Sequence, residues 1–278
     1  MERFREIVDR LLALCAVRRE IEAVIAIGSQ CRTAQGADEY SDLDLVVVCG
    51  TPEGLLYEDG WLERLGQVEY SFVEDTIAGQ RERRVLFAGS LDVDFIIMPP
   101  EAFGRAAEEG ALNGLMGRGY ALLYDGRGWS PLLERRIAAG RERQALPTQW
   151  DFRNLVQDFC YHMVWAEKKL RRGELWTAKM CVDGYLKGRL LRMIELYEAC
   201  LHGADFDVWH NGRLLERWAE EDVVRELGQC FARYDGEDIR RALAHTAALF
   251  TRLARACGER WGYQTGVEAV DNPGRGSA

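Results

Sequence analysis

The chain has 278 residues, 47% hydrophobic and 29% charged, which is enough for one large domain or two ordinary ones with a sizeable core. Its formal net charge of −9 excludes a general nucleic-acid binder, which needs a basic surface to displace counter-ions, and agrees with a cationic small partner. No apolar run approaches the roughly 20 residues a helix needs to span a bilayer, and no membrane association is expected.

The opening stretch MERFREIVDRLLALCAV, amphipathic and interrupted by charges, is expected to be neither a signal peptide nor a membrane span. Phe4, Ile7, Val8, Leu11, Leu12 and Cys15 recur at helical spacing, so residues 3–18 are predicted to form an amphipathic helix. Glu22 to Ile27 reads as a strand ended by Gly28, and Ser29 is placed to cap a short helix after it. Thr33 to Tyr40 is a polar loop, and Leu43 to Val48 is the clearest strand in the chain. A polar stretch with Pro52, Gly54 and Gly60 precedes a short helix near Trp61 to Leu65. Val68 to Val73 alternates like a strand, and RRVLFAG with SLDVDFIIMPP predicts a hairpin turning at Gly89-Ser90. Helices fill 101–117, and GYALLYDGRG is a last short strand and turn. After Pro147, from Phe152 to about Gly262, the pattern is helical throughout, which places a domain boundary in RERQALPTQ.

The eight cysteines form no CxxC, and the four histidines show no metal spacing. Free buried thiols in a cytoplasmic protein are expected.

Two aspartate pairs carry the chemistry. Residues i and i+2 of a strand share a face, so Asp42 and Asp44 point one way while Leu43, Leu45 and Val47 point the other. Asp92 and Asp94 repeat this, backed by Val93, Phe95 and Ile97. If the two strands are neighbours, three or four carboxylates converge and repel. A divalent cation relieves that repulsion, and oxygen ligands without thiolate or imidazole select Mg²⁺ or Mn²⁺. Upstream, Gly28 lets backbone approach closely, and Ser29 with the N–H groups of a following helix would hold phosphate oxygens. The order Gly-Ser, loop, DxD on the next strand, then a further Asp on a later strand is that of the nucleotidyltransferase superfamily whose simplest members resemble DNA polymerase beta. The chain has no P-loop and no GxGxxG fingerprint.

A closer resemblance extends over residues 20–263. GSQCRTAQGADEYSDLDLVVV, RVLFAGSLDVDFIIMP and GYALLYDGRG resemble the N-terminal domain of the aminoglycoside 6-adenylyltransferases, the streptomycin adenylyltransferase family. DFRNLVQDFCYHMVWAEKKLRRGELWTAKMCVDGYLKGRLLRMIELY, GRLLERWAEEDVVREL and YDGEDIRRALAHTAALFTRLARACGERWGY resemble its C-terminal helices. The resemblance implies an α+β protein. A nucleotidyltransferase domain over 1–145, a small mixed sheet flanked by helices, precedes an all-α helical bundle over 146–265, and 266–278 is a flexible tail. It implies an enzyme, monomer or homodimer, that moves AMP from ATP to a hydroxyl of a streptomycin-like aminoglycoside and releases pyrophosphate, with two Mg²⁺ ions. On matching positions Asp42 and Asp44 hold metal, and Asp94 is metal ligand, general base or both, with Asp92 its rival as base. Gly28, Ser29 and Lys168 contact the nucleotide. Asp92, Asp151, Asp158 and Trp165 are candidates for binding the acceptor. Gln30 stands where the family often has arginine, with Arg32 two residues on, and Arg153 replaces a tryptophan; both departures bear on which antibiotic is accepted. A lincosamide, metabolite or protein hydroxyl is an alternative acceptor, and a non-catalytic ATP-binding relative is the alternative to an enzyme.

Overall fold

The computed structural model describes residues 1–32, 36–76, 79–137 and 146–266. The remainder of the expected tail, 267–278, lies outside them. The chain divides into two compact units, Met1–Glu142 and Arg143–Ala278.

The first unit opens with helix α1 (Arg5–Val17), which buries Ile7, Val8, Leu11, Leu14 and Cys15 on one stripe. A six-stranded sheet follows: β1 (Ile21–Ile27), β2 (Leu43–Cys49), β3 (Val68–Asp75), β4 (Arg81–Phe87), β5 (Leu91–Met98) and β6 (Ala121–Asp125). The spatial order is β3-β4-β5-β2-β1-β6; β2 and β5 run parallel and every other pair is antiparallel. The central strands are covered on both sides, so they read as nearly continuous apolar runs rather than alternating ones. Val24, Leu45, Val47, Phe95 and Ile97 face α1 and two short helices, α2 (Pro52–Tyr57) and α3 (Leu62–Leu65). Ile25, Val46, Val48 and Met98 face the other way, towards Phe103 of α4 (Pro100–Glu108), Met116 of α5 (Asn113–Met116) and Leu133 of α6 (Ser130–Arg136).

Some expectations need correction. The stretch from Pro52, read as polar loop, forms α2, because Pro52 sits in the first turn, where its missing N–H is harmless, and Leu55 and Leu56 are buried. β4 begins at Arg81, two residues before the predicted run. Among the described residues no α-helix starts at Ser29. Gly28–Cys31 is a single 3₁₀ turn with Ile27 at its cap position, so Ser29 lies inside the turn and caps nothing. The predicted hairpin does turn at Gly89-Ser90: Phe87 pairs with Leu91, and Gly89 (φ 81°) and Ser90 (φ 56°) are both left-handed.

The second unit is helical. Its elements are α7 (Gln149–Arg171), α8 (Leu175–Met180), α9 (Leu186–His202), α10 (Leu215–Trp218), α11 (Glu221–Leu227) and α12 (Gly236–Trp261). A π turn at Cys181–Tyr185 joins α8 to α9. Thr148 and Asp235 cap α7 and α12 through their side chains. The core centres on Phe159 and Phe250, whose rings stack with centroids 3.7 Å apart, surrounded by Val156, Leu190, Met193 and Leu253. All eight cysteines are free thiols. Among the described residues no helix is long and apolar enough to cross a membrane.

Candidate active site

The parallel pairing of β2 with β5 sets Leu43 beside Val93 and Asp44 beside Asp94. Because both strands point the same way and are in register, the two acidic pairs fall at the same end of the sheet and on one face. Farther along that face Val46 and Ile96 pack towards α4, so the carboxylates lie just where the apolar cover stops. Ligand oxygens of Asp42, Asp44 and Asp94 all lie within 4.8 Å of one another. Asp92 shares the face but stays outside this cluster; burial raises its pKa, and Arg84 opposes the shift.

The backbone at Gly28 closes the site from β1. Its φ is +71°, and a Cβ there would stand 2.0 Å from Asp44 Oδ2, so only glycine fits. Ser29 is buried and its hydroxyl has no hydrogen-bond partner among the described residues. Gln30 Nε2 donates to the Asp42 carbonyl at 3.0 Å, tying the 3₁₀ turn to the mouth of β2.

One residue at the site was not anticipated. Arg84 of β4 is the direct antiparallel partner of Asp94 and grips it with both arms of its guanidinium, Nε to Oδ1 at 2.9 Å and Nη2 to Oδ2 at 2.7 Å. Its Nη1 also donates to Glu74 at 3.1 Å. Glu82 shares the face of Arg84, and its carboxyl is pushed up to about 7 by burial, then by the Asp94 charge. The predicted hairpin held only part of the signal: a two-residue turn at Gly89-Ser90 sets Arg84 opposite Phe95, whereas the observed loop of Ala88, Gly89 and Ser90 shifts the register by one and sets it opposite Asp94.

The electrostatics are those of an under-neutralised anionic pocket. Burial pushes Asp44 up to about 7, with Asp42 and Asp94 adding to the shift and Arg32 opposing it. Asp94 also rises, because burial outweighs the guanidinium beside it. A divalent cation fits this donor set. Three carboxylates converge, neither imidazole nor thiolate belongs to the cluster, and the nearby Cys31 thiol is held neutral because burial raises its pKa.

In the second unit the predicted residues are differently employed. Asp151 is spent on the cap of α7: it accepts from Thr148 Oγ1 at 2.6 Å, while Asp151 N donates back to Thr148 Oγ1 at 3.1 Å. Asp158 is already compensated, by Arg189 Nε at 2.6 Å, His162 Nδ1 at 2.7 Å and the Tyr185 hydroxyl at 2.8 Å. That removes the expected open carboxylate for a cationic ligand. Trp165 packs against the helical core with the Lys169 ammonium 5.1 Å from its ring centroid. Lys169 pairs with Glu174 at 2.7 Å, whereas Lys168 is exposed and forms no ion pair among the described residues. Arg153 lines a surface cleft with Gln157, Arg255 and Glu259.

No curated protein matches the chain. Among solved structures it is similar to an aminoglycoside 6-adenyltransferase from Bacillus subtilis, with 18% identity over 96% of this chain and 95% of that one and a TM-score of 0.46. It is also similar to a nucleotidyltransferase-like protein from Exiguobacterium sibiricum, with 14% identity over 90% and 75% and a TM-score of 0.34. The family model described as streptomycin adenylyltransferase matches residues 1–272, nearly the entire chain, and the protein belongs to that family.

Proposed function

We propose that the chain transfers AMP from ATP to a hydroxyl of a streptomycin-like aminoglycoside and releases pyrophosphate, in a Mg²⁺-dependent reaction. The observation that carries this reading is the convergence of Asp42, Asp44 and Asp94 on two parallel strands beside the Gly28-Ser29 turn. Asp42, Asp44 and Asp94 would hold the metal, which when bound neutralises phosphate charge and activates the attacking oxygen.

The chain's own groups then position and deprotonate. Gly28 keeps the backbone close enough to Asp44 to leave its carboxylate aimed into the cluster. The unpartnered Ser29 hydroxyl would donate to a phosphate oxygen. By the family resemblance alone, Lys168, exposed on α7, would contact the nucleotide phosphates. Arg84 holds Asp94 by both oxygens, which fixes the carboxylate's plane while leaving further lone pairs to accept. Burial raises the proton affinity of Asp94 towards what a general base needs. The acceptor hydroxyl gives its proton to Asp94 as its oxygen bonds to the α-phosphorus and the bond to the pyrophosphate oxygen breaks. Asp92, two residues back on the same face, is the rival base.

The test is incubation with ATP, Mg²⁺ and streptomycin, following pyrophosphate and product mass. The expected product is the drug heavier by one AMP, absent without metal and absent for Asp42→Asn. Metal-dependent ATP binding without transfer to streptomycin, but with transfer to a lincosamide, would replace the acceptor. Loss of neither activity nor metal binding in Asp42→Asn would overturn the site.

A further inference from the structure

The helical unit carries a second chelating set, independent of the transfer reading. Glu198 and His202 are four residues apart on α9 and so share one face. Glu220, at the cap position of α11, meets them. His202 Nε2 lies 3.4 Å from Glu198 Oε2 and 3.2 Å from Glu220 Oε1, and one ligand atom from each of the three residues falls within a common 4.8 Å.

Glu198 makes this more than a surface cluster. It is 0% exposed on the apolar side of α9. Its Oε1 accepts from the Glu220 backbone N–H at 2.9 Å, but its Oε2, turned towards His202, has no hydrogen bond among the described residues. A buried carboxylate oxygen without a donor is costly and calls for a cationic or protic partner. Among the described residues the one candidate is His202 Nε2, 3.4 Å away and shared with Glu220 Oε1 at 3.2 Å. Glu220 and Asp222 add negative charge, while Arg252 is engaged by Asp222 at 3.1 Å and Glu226 at 2.9 Å. The His202 ring is stacked on Phe206 with centroids 4.5 Å apart, which fixes its plane with Nε2 on the carboxylate side. His202 and Glu220 side chains are 39% and 44% exposed, so the set opens to solvent.

We propose that Glu198, His202 and Glu220 form a binding site for a late first-row divalent cation of the zinc class, stapling the end of α9 to the start of α11. One imidazole and two carboxylates with an open position suit Zn²⁺ and disfavour Mg²⁺, the reverse of the all-oxygen cluster in the first unit.

The probe is Zn²⁺ alone, titrated into the full chain with excess Mg²⁺ present, read by calorimetry and thermal unfolding, with Co²⁺ absorption reporting the ligands. The expected result is one equivalent bound, a raised Tm, and a cobalt spectrum without thiolate charge transfer. His202→Ala and Glu220→Gln, both at exposed positions, should each weaken binding by more than about 100-fold, beyond the loss of an outer-shell partner. Asp42→Asn should leave it unchanged. The proposal is overturned if His202→Ala and Glu220→Gln bind Zn²⁺ as the parent does. It is equally overturned if Asp42→Asn abolishes binding, if cobalt reports thiolate ligation, or if Zn²⁺ does not bind; in that last case Glu198 Oε2 carries a proton facing His202.

Discussion

Replacing Gly28 by alanine separates two effects that usually travel together. The first is backbone strain: φ is +71° at Gly28, and an L-residue in the left-handed region costs about 1–2 kcal/mol. The second is steric. The new Cβ would stand 2.0 Å from Asp44 Oδ2, and opening that to the 3.4 Å of ordinary contact takes a displacement of 3.4 − 2.0 = 1.4 Å. Either the Asp44 carboxylate turns out of the cluster or the 3₁₀ turn carrying Ser29 moves away. A misplacement of about 1 Å at a reacting centre is worth roughly 10²-fold in rate. Gly89 is the control, because its φ is +81° and a Cβ there meets nothing within 4 Å. Gly89→Ala should therefore lose the same stability, about 1–2 kcal/mol by denaturant unfolding, with AMP transfer and Mn²⁺ binding intact. Gly28→Ala should lose at least that much stability, the overlap adding to the strain, and in addition lose about 10²-fold or more in kcat and bind Mn²⁺ more weakly. Turnover of Gly28→Ala within a few-fold of Gly89→Ala would refute the reasoning, since Asp44 would then not need the position observed.

Arg84→Met removes the orienting clamp on Asp94, and kcat should fall on the order of 10- to 100-fold with a smaller change in KM for ATP; Arg84→Lys should recover only part, because an ammonium lacks the two-armed fork. Equal kcat in the methionine and lysine variants would remove the positioning role. In the helical unit, burial depresses the Lys187 pKa to about 8 from the ordinary 10.5, although its Nζ donates to Val182 O and Thr246 Oγ1, each at 2.9 Å. Between pH 8 and 10.5 the unfolded chain binds the extra proton, so wild type should gain stability relative to Lys187→Met as pH rises through that window; a pH-independent difference in unfolding free energy would contradict the burial argument. Phe250→Ala empties one half of the Phe159 stack and should cost about 3–5 kcal/mol by calorimetry or denaturant unfolding, and a loss below about 1 kcal/mol would mean the core collapses around the gap.

What the sequence revealed of the site is what strand periodicity can encode. DLD and DVD each announced a face, and Gly-Ser announced a close turn, since these are matters of neighbours one to three residues apart. Convergence of Asp44 with Asp94 was conditional on strand adjacency fifty residues away, which periodicity does not carry. Arg84 is not legible because an arginine in a charged run looks like a solvated face, and the one extra loop residue, Ala88, that brings it opposite Asp94 is not encoded in the strand pattern. The helix expected after Ser29 was wrong because one polar residue after glycine does not show how long a turn continues. Asp151 could have been read locally: Thr148-Gln-Trp-Asp151 spells a capping box. Asp158 could not, since Tyr185 and Arg189 reach it from another helix.

The single parallel contact of the sheet has a consequence for how the molecule is made. β4 and β5 are chain neighbours joined by a short turn, so Asp94 is expected to meet its Arg84 counter-ion early in folding. The β2–β5 pairing spans about fifty residues and is expected to follow, since long-range pairing of this kind is slow. The hairpin is thus expected to carry a neutralised aspartate into the sheet and to meet Asp42 and Asp44 only on docking. A slip of one residue at that step would turn Asp94 to the opposite face. Recovery of Mn²⁺ binding during refolding would then time the final strand insertion, and regained secondary structure alone would not certify a working molecule.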